Sequence, residues 1–401
     1  MYNNQSLELD IRNDIMEKPV STKWYMAFYK KRTLWLLLFP VSFFLLWLVR
    51  NNPDIAEFVF ARGLYKWISQ GISMISGIFP FSLMELEIIF LPITAIYFIL
   101  RFIYKIITKL RKKEAAGYTF TLGILNGICV LSIIFFLYLI LGGTNYYRYS
   151  FASYSGLEIK DSSVDELYNL CLELADEAAG IREQLHEKKG VEDSSGVLKV
   201  NTTDWNEVSD NLEKAFMNLS KDYPVLGGYY TSLKPVLFSD VMSRMEITGI
   251  FWPFTMEANV NVDAADYSIP ATMGHELAHL RGFMREDEAN FIGYLVCKKS
   301  DNLEYQYSGI MLALTYAGNQ LYKQDPSLFQ SVREHYNTEM LADLRAEYFY
   351  WEQFENTVIS TVSNTMNDNY LKANKQSDGV KSYGRMVDLL LAEYRKNHPS
   401  K

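Results

Sequence analysis

His275–Cys297 reads HELAHLRGFMREDEANFIGYLVC. Within it, His275-Glu276-Leu277-Ala278-His279 places two imidazoles four residues apart. On a helix that spacing stacks them on one face, one turn above the other. Two nitrogens so placed can bind one metal ion, and Glu276 lies where it can reach a water on that ion. Histidine is scarce here: outside the pair the chain holds only His186, His335 and His398. At ordinary residue frequencies a chance match in a chain this long arises roughly once in a hundred sequences.

The pattern is the H-E-x-x-H signature, which points to Zn²⁺ and to a hydrolytic water. A catalytic zinc site needs three protein ligands and one open position. The next candidates follow within the string REDEAN: Glu286, Asp287 and Glu288. On a helix starting there, Glu286 and Asn290 share a face, so Asn290 can orient a ligand ring while Glu286 ligates. Glu286 is therefore the first choice, Glu288 the second and Asp287 the third. Glu276 is the expected general base and acid. Tyr370, Tyr383 and Arg385 are candidate donors to an oxyanion, although the chain carries 28 tyrosines. A zinc site serving only to hold the fold would more often be closed by four ligands, commonly cysteines.

Moving upstream, the character of the sequence changes. Three apolar runs occupy the first 142 residues: Leu34 to Val49, Leu86 to Tyr104 and Phe120 to Leu141. Each approaches or reaches the roughly 20 residues that span a bilayer. Lys23, Lys30, Lys31 and Arg32 precede the first, and Lys105, Lys109, Arg111, Lys112 and Lys113 fill the loop between the second and third. By the positive-inside rule both clusters face the cytoplasm. Residues 51–84, with an amphipathic helix near Leu64–Ile78, and everything beyond Gly142 are then external. The expected division is a cytoplasmic segment 1–32, a membrane domain 33–142 with three transmembrane helices, and an extracytoplasmic domain 143–401. Charged residues around the motif (Asp263, Asp266, Arg281, Arg285, Glu286) argue against a site inside the bilayer.

The external part has ordinary globular composition. Ser163 and Glu166 form a capping box that starts a helix, a second helix runs from about Asp204 to Leu219, and the motif helix covers about Ile269 to Leu280. Gly282 is placed to end the motif helix in a left-handed conformation. Short β-prone pieces at Val236–Phe238, Ile247–Trp252 and Thr255–Val262 predict a small sheet, with Thr255–Val262 a candidate edge for an extended peptide. Long helices are expected near 303–324 and 327–366, and a terminal one at Arg385–Lys396. The net charge of −8 excludes a nucleic-acid partner, which needs a basic surface. Cys129, Cys171 and Cys297 form no metal or redox motif and read as packed thiols.

The string EDEAN followed by aliphatic residues resembles the E-x-x-A-N helix of gluzincin peptidases, and that resemblance implies Glu286 as third ligand with Asn290 behind it. The six residues between His279 and Glu286 are far fewer than gluzincins usually insert. Gly282 falls where metzincins place their turn glycine, but Arg285 stands in place of their third histidine. More broadly, HELAHLRGFMREDEANFIGYLVC, the three apolar runs, NYYR and LKANKQSDGVKSYG resemble the uncharacterised membrane-protein family called domain of unknown function 3810. The expectation is thus an α+β, mostly helical protein: three N-terminal transmembrane helices, then a zincin-like (gluzincin-like) metallopeptidase domain with a small sheet. The expected metal ligands are His275, His279 and Glu286, with Glu276 catalytic and Zn²⁺ the cofactor. Its partners are the lipid bilayer and an extracytoplasmic protein or peptide substrate, and its place is the cell membrane, multi-pass. The alternative is a non-catalytic zinc-binding sensor or scaffold.

Overall fold

A computed structural model describes residues 32–188, 190–200, 204–231, 233–374 and 385–399. The N-terminal segment before Arg32, Tyr383 and most of the LKANKQSDGVKSYG stretch lie outside the described residues. The protein is mostly helical, with one three-stranded sheet among the described residues. In chain order the helices begin with α1 (Arg32–Leu36), α2 (Leu38–Asn51), a π-helix (Ile55–Tyr65), α3 (Lys66–Ser76), α4 (Leu83–Arg111) and α5 (Gly117–Leu141). Then come α6 (Ala152–Ser155), α7 (Val164–Glu187), α8 (Trp205–Asp222), β1 (Leu233–Pro235), α9 (Ser239–Arg244), β2 (Gly249–Trp252) and β3 (Glu257–Val260). The chain closes with α10 (Ile269–Leu280), α11 (Glu286–Lys298), α12 (Leu303–Gln324), α13 (Pro326–Arg333), α14 (Thr338–Glu352), α15 (Val358–Ala373) and α16 (Arg385–Asn397).

Three of these segments, Leu34–Asn51, Leu83–Arg111 and Gly117–Leu141, are long and apolar enough to cross a membrane. Pro40 and Pro92 lie within α2 and α4 without ending them, as membrane helices allow. The described residues form two compact units: one of those within 32–47 and 87–139, the other of those within 48–86 and 140–399. In the first, α1 and α2 meet α5 through Arg32 Nε to Asn126 Oδ1 (2.7 Å), Ser132 Oγ to the Trp35 carbonyl (2.8 Å) and the rings of Phe39, Phe43 and Phe135. Gly123 lets α5 lie against the ring of Phe102, which a β-carbon there would meet at 2.1 Å.

In the second unit, residues 48–86, a connection between two apolar runs in the sequence, group with the described residues after 140. Its centre is a helical layer in which α11 lies between α10 and α12, and α12 packs on α7. The core residues come from the apolar stripes of those helices: Leu170, Leu174, Leu277, Phe291, Ile310 and Leu314 are buried. The α7 capping box is complete: Glu166 N–H donates to Ser163 Oγ and Ser163 N–H to the Glu166 carboxylate. All three cysteines are free and buried.

The sheet runs β1-β3-β2, with β1 parallel and β2 antiparallel to the central β3. The expectation of an edge strand at Thr255–Val262 is overturned, because that stretch contains β3, paired on both sides. The edge beside α10 is β2, which packs with β3 against the motif helix. The expected helix over 327–366 is three helices. Asn337 Oδ1 accepts from Met340 N–H and Thr357 Oγ1 from Ser360 N–H, so each polar side chain caps a new start. Asn356, just before the second cap, is left-handed at φ 56°.

Candidate metal centre

α10 begins with Pro270 in its first turn, where a missing N–H costs nothing. It ends at Leu280, and Gly282 follows at φ 86°. That turn sends the chain back within six residues to start α11 at Glu286. Close approach of the two helices depends on paired glycines: a β-carbon on Gly274 would lie 2.7 Å from Val296 Cγ1 and 3.1 Å from Gly293 Cα. A β-carbon on Gly293 would lie 3.0 Å from the Ala271 carbonyl oxygen. With the helices in contact there, Glu286 in the first turn of α11 reaches both histidines.

His275 Nε2 is 3.3 Å from Glu286 Oε2, and His279 Nε2 is 3.6 Å from Glu286 Oε1. The imidazole centroids are 4.5 Å apart with planes at 89°. One ligand atom from each of His275, His279 and Glu286 falls within 4.8 Å of the others. The opposite ring nitrogens are held as well. His275 Nδ1 lies 2.8 Å from Asn290 Oδ1, and His279 Nδ1 lies 2.8 Å from the Phe283 carbonyl oxygen. A carbonyl can only accept, so His279 Nδ1 carries the proton and Nε2 keeps its lone pair for the centre. Asn290 Nδ2 in turn donates to Tyr316 Oη on α12 at 3.2 Å, which ties the amide behind His275 to a third helix.

The other two carboxylates of REDE turn elsewhere. Glu288 Oε1 accepts from Phe151 N–H at 2.9 Å and faces Arg285 at 3.5 Å, and Asp287 pairs with Arg285 at 3.0 Å. Burial pushes the Glu288 pKa up to about 7 against the pull of Arg285. Both groups are buried. Of the three carboxylates, Glu286 alone joins the histidines.

Glu276 faces β2. Phe251 N–H donates to its carboxylate, while Glu276 Oε2 is buried with no hydrogen-bond partner. Gly249 makes the room, since a β-carbon there would lie 2.5 Å from Glu276 Oε1 and 2.8 Å from its Cγ. The Phe251 ring lies 6.3 Å from that of His279.

Burial opposes charge on all four groups; it prevails at His279 and Glu276 and is outweighed by neighbours at His275 and Glu286. At His275 the hydrogen bond and charge of Glu286 outweigh burial and raise the pKa to about 9. At His279 burial, aided by the charge of His275, lowers it to about 4. Burial raises Glu276 to about 8. Burial would raise Glu286 too, but the charges of His279 and His275 and the bond to His275 hold it below the ordinary carboxylate value. The set fits a divalent ion: two imidazole nitrogens and one carboxylate converge, each ring is oriented from behind, and a buried carboxylate oxygen stands unpartnered beside them.

Several residues that support the centre carry no signal in the sequence. The C-terminal carbonyls of α10 are satisfied by side chains from distant segments. Tyr65 Oη donates to the carbonyls of His279 (3.1 Å) and Leu280 (3.2 Å), and Arg148 Nη1 to that of Gly282 (3.2 Å). Arg281 donates to the Leu277 carbonyl at 3.2 Å and to Glu213 at 2.6 Å. Cations here also complement the negative end of the helix. Arg148 is itself held by the fully buried Glu57, at 3.1 Å and 3.2 Å, which Arg62 also meets at 2.7 Å. Tyr316 behind Asn290 was likewise invisible among many tyrosines. Of the expected oxyanion donors, Tyr370 Oη pairs with Tyr146 Oη at 3.0 Å, Arg385 opens α16, and Tyr383 lies outside the described residues.

The chain belongs to the family described as Protein of unknown function (DUF3810), which matches residues 60–391 and so includes the whole centre. No curated protein matches it. No solved structure matches it either.

Proposed function

We propose that this member of the family is a membrane-anchored, zinc-dependent peptidase with a zincin-like (gluzincin-like) domain, acting on an extracytoplasmic protein or peptide. His275, His279 and Glu286 hold the ion. Zinc bound by these three residues would supply a Lewis acid for a substrate carbonyl and a more acidic water. The observation that carries the reading is the unpartnered, buried Glu276 oxygen beside a three-ligand cluster. Glu276 takes a proton from the attacking water and returns it to the leaving amine. The bond from Phe251 N–H holds that carboxylate in place, and Gly249 lets β2 approach it. As the edge strand beside the motif helix, β2 offers main-chain groups with which an extended peptide can pair.

The test uses full-length protein purified in detergent and loaded with zinc. Metal content is measured, and cleavage of a mixed peptide library is followed by mass spectrometry, for the wild type and Glu276→Gln. The proposal expects one zinc per chain in both and cleavage by the wild type alone. Equal metal with no cleavage by either protein would leave a zinc-binding sensor or scaffold as the better description.

A further inference from the structure

α3 is an amphipathic helix turned inside out. Ser69, Ser73 and Ser76 lie on its buried face, where Ser73 accepts from Thr231 through both its hydroxyl (3.2 Å) and its carbonyl (3.3 Å). Its large apolar residues face outward: Trp67 is 74% exposed, and Met74 and Ile75 are also exposed. The apolar surface continues past the helix end through Ile78, 77% exposed, toward Leu83 and the first turn of α4.

A second strip joins it from far along the chain. Leu237, 83% exposed, and Phe238 point outward from the loop between β1 and α9. Their backbone N–H groups donate to the Glu85 carboxylate at 3.1 Å and 2.8 Å. Glu85 lies in the first turn of α4, one of the helices long and apolar enough to cross a membrane. This bond pins the loop to the level at which α4 begins. The same turn is tied down from inside, because Leu83 and Met84 N–H donate to the buried Glu257 of β3 at 3.0 Å and 2.9 Å.

We propose that α3, the segment to Phe81 and the Leu237–Phe238 loop form a surface embedded in one leaflet of the lipid bilayer, around the start of α4. Polar-in, apolar-out packing is what a lipid surface selects and water penalises. The occupant is lipid rather than a protein partner because the chain passes directly from this surface, through Phe81 and Ser82, into α4, a helix long and apolar enough to cross a membrane. Covalent continuity holds α3 between two apolar helices. The consequence reaches the metal centre. Met84 clusters with Val236 and Met242, and Ile250 and Trp252 of β2 pack on that cluster. Phe251 between them lies beside His279. The strand lining the centre is thus one layer of side chains from the first turn of α4, so the centre works next to the headgroups. This inference does not depend on what reaction the centre performs.

The experiment places a nitroxide at Trp67→Cys, Ile78→Cys or Leu237→Cys in full-length protein reconstituted into liposomes, with exposed Lys323→Cys on α12 as the aqueous reference. Collision with oxygen, which concentrates in lipid, is compared with collision with a water-soluble nickel chelate. Parent protein labelled in parallel corrects for the buried native thiols, and an unchanged unfolding temperature reports the fold. The oxygen-to-nickel ratio is expected to invert at all three positions relative to Lys323→Cys. Nickel collision at the three positions equal to the reference means open water and overturns the proposal. Exclusion of both reagents means a protein cover and also overturns it.

Discussion

Gly274→Ala tests whether metal binding depends on how closely α10 and α11 approach. The added methyl would lie 2.7 Å from Val296 Cγ1, 3.1 Å from Gly293 Cα and 3.2 Å from the Gly293 carbonyl oxygen. Ordinary contacts need about 3.5–4.0 Å. Val296 is β-branched and stiff in a helix, and two of the three contacts are backbone, so rotamer change cannot absorb the overlap. The helices must part by about 0.5 Å. Ligand distances tolerate about 0.2 Å, and Glu286 is the proposed ligand carried by α11. Zinc affinity should therefore fall about 10- to 100-fold, or about 1.4–2.8 kcal/mol. Competition against a chromophoric chelator measures this on full-length protein. Gly309→Ala is the control. Its methyl would lie 2.6 Å from Cys297 Cβ and 3.0 Å from the Tyr294 carbonyl oxygen, on the α11–α12 contact. Both variants should lose about 1–3 kcal/mol of stability to overpacking, yet only Gly274→Ala should lose zinc affinity. Wild-type affinity in Gly274→Ala, or equal losses in the two, would refute the reasoning.

Asn290→Ala removes the oxygen that holds His275 at 2.8 Å. Zinc affinity should drop about 10- to 100-fold, and Asn290→Asp, which keeps an acceptor, should recover most of it in the same titration. Gly249→Ala puts a methyl 2.5 Å from Glu276 Oε1 and should displace the base without touching a ligand, so hydrolysis falls while metal content, read by elemental analysis, stays at the wild-type level. Arg148→Met leaves Glu57 buried and short of its main partner and should cost about 3–5 kcal/mol, seen as a lower unfolding temperature at neutral pH. Burial raises the Glu57 pKa, but Arg148 and Arg62 outweigh it and lower the net value below 4.5. A carboxylate with a depressed folded pKa stabilises above its unfolded pKa and loses that contribution as pH falls through the folded value. Thermal unfolding followed as pH is lowered below 4.5 should show this loss, and Glu57→Gln should show less of it.

What could be read from the sequence was local. Ile269–Leu280 emerges as the motif helix because the four-residue spacing of His275 and His279 and the terminating Gly282 lie within one short window. Glu286 and Asn290 were placed by helical spacing and by the resemblance of EDEAN to the gluzincin E-x-x-A-N helix. The structure brings Glu286 to the histidines and Asn290 behind one of them. The α7 capping box was readable for the same reason. The strand order was not, because the β-prone pieces within residues 249–260 do not show which strand pairs on both sides. Nor were the breaks in 327–366 anticipated, because Asn337 and Thr357 look like ordinary polar residues in a helical pattern until their side chains are seen to cap. The clamp on the motif helix was least accessible. Tyr65 lies 214 residues from His279, and Glu57 lies 91 from Arg148. No local period reports such pairings, and both partners come from stretches that read as connections around apolar runs.

That clamp bears on why the centre has the form it does. A buried site that only stapled helices together would gain from pairing every polar atom, since an orphaned acceptor costs about 1–3 kcal/mol. Here the ligands follow that rule, with both Nδ1 atoms and the Asn290 amide engaged. Glu276 does not: it is buried, one oxygen has no partner, and burial drives its pKa to about 8. The adjoining strand gives up a side chain at Gly249 to let it lie there. Stability is thus surrendered at residue 276 and restored at the helix end by Tyr65, Arg148 and Glu57. Unsatisfied groups held in place by a rigid surround are what a proton-transferring residue needs. A purely structural ion offers no reason for an acid at this position. Replacing Glu276 by leucine should accordingly raise the unfolding temperature of the zinc-loaded protein while abolishing turnover. A lower unfolding temperature would mean that the carboxylate holds the fold together and would remove this argument for catalysis.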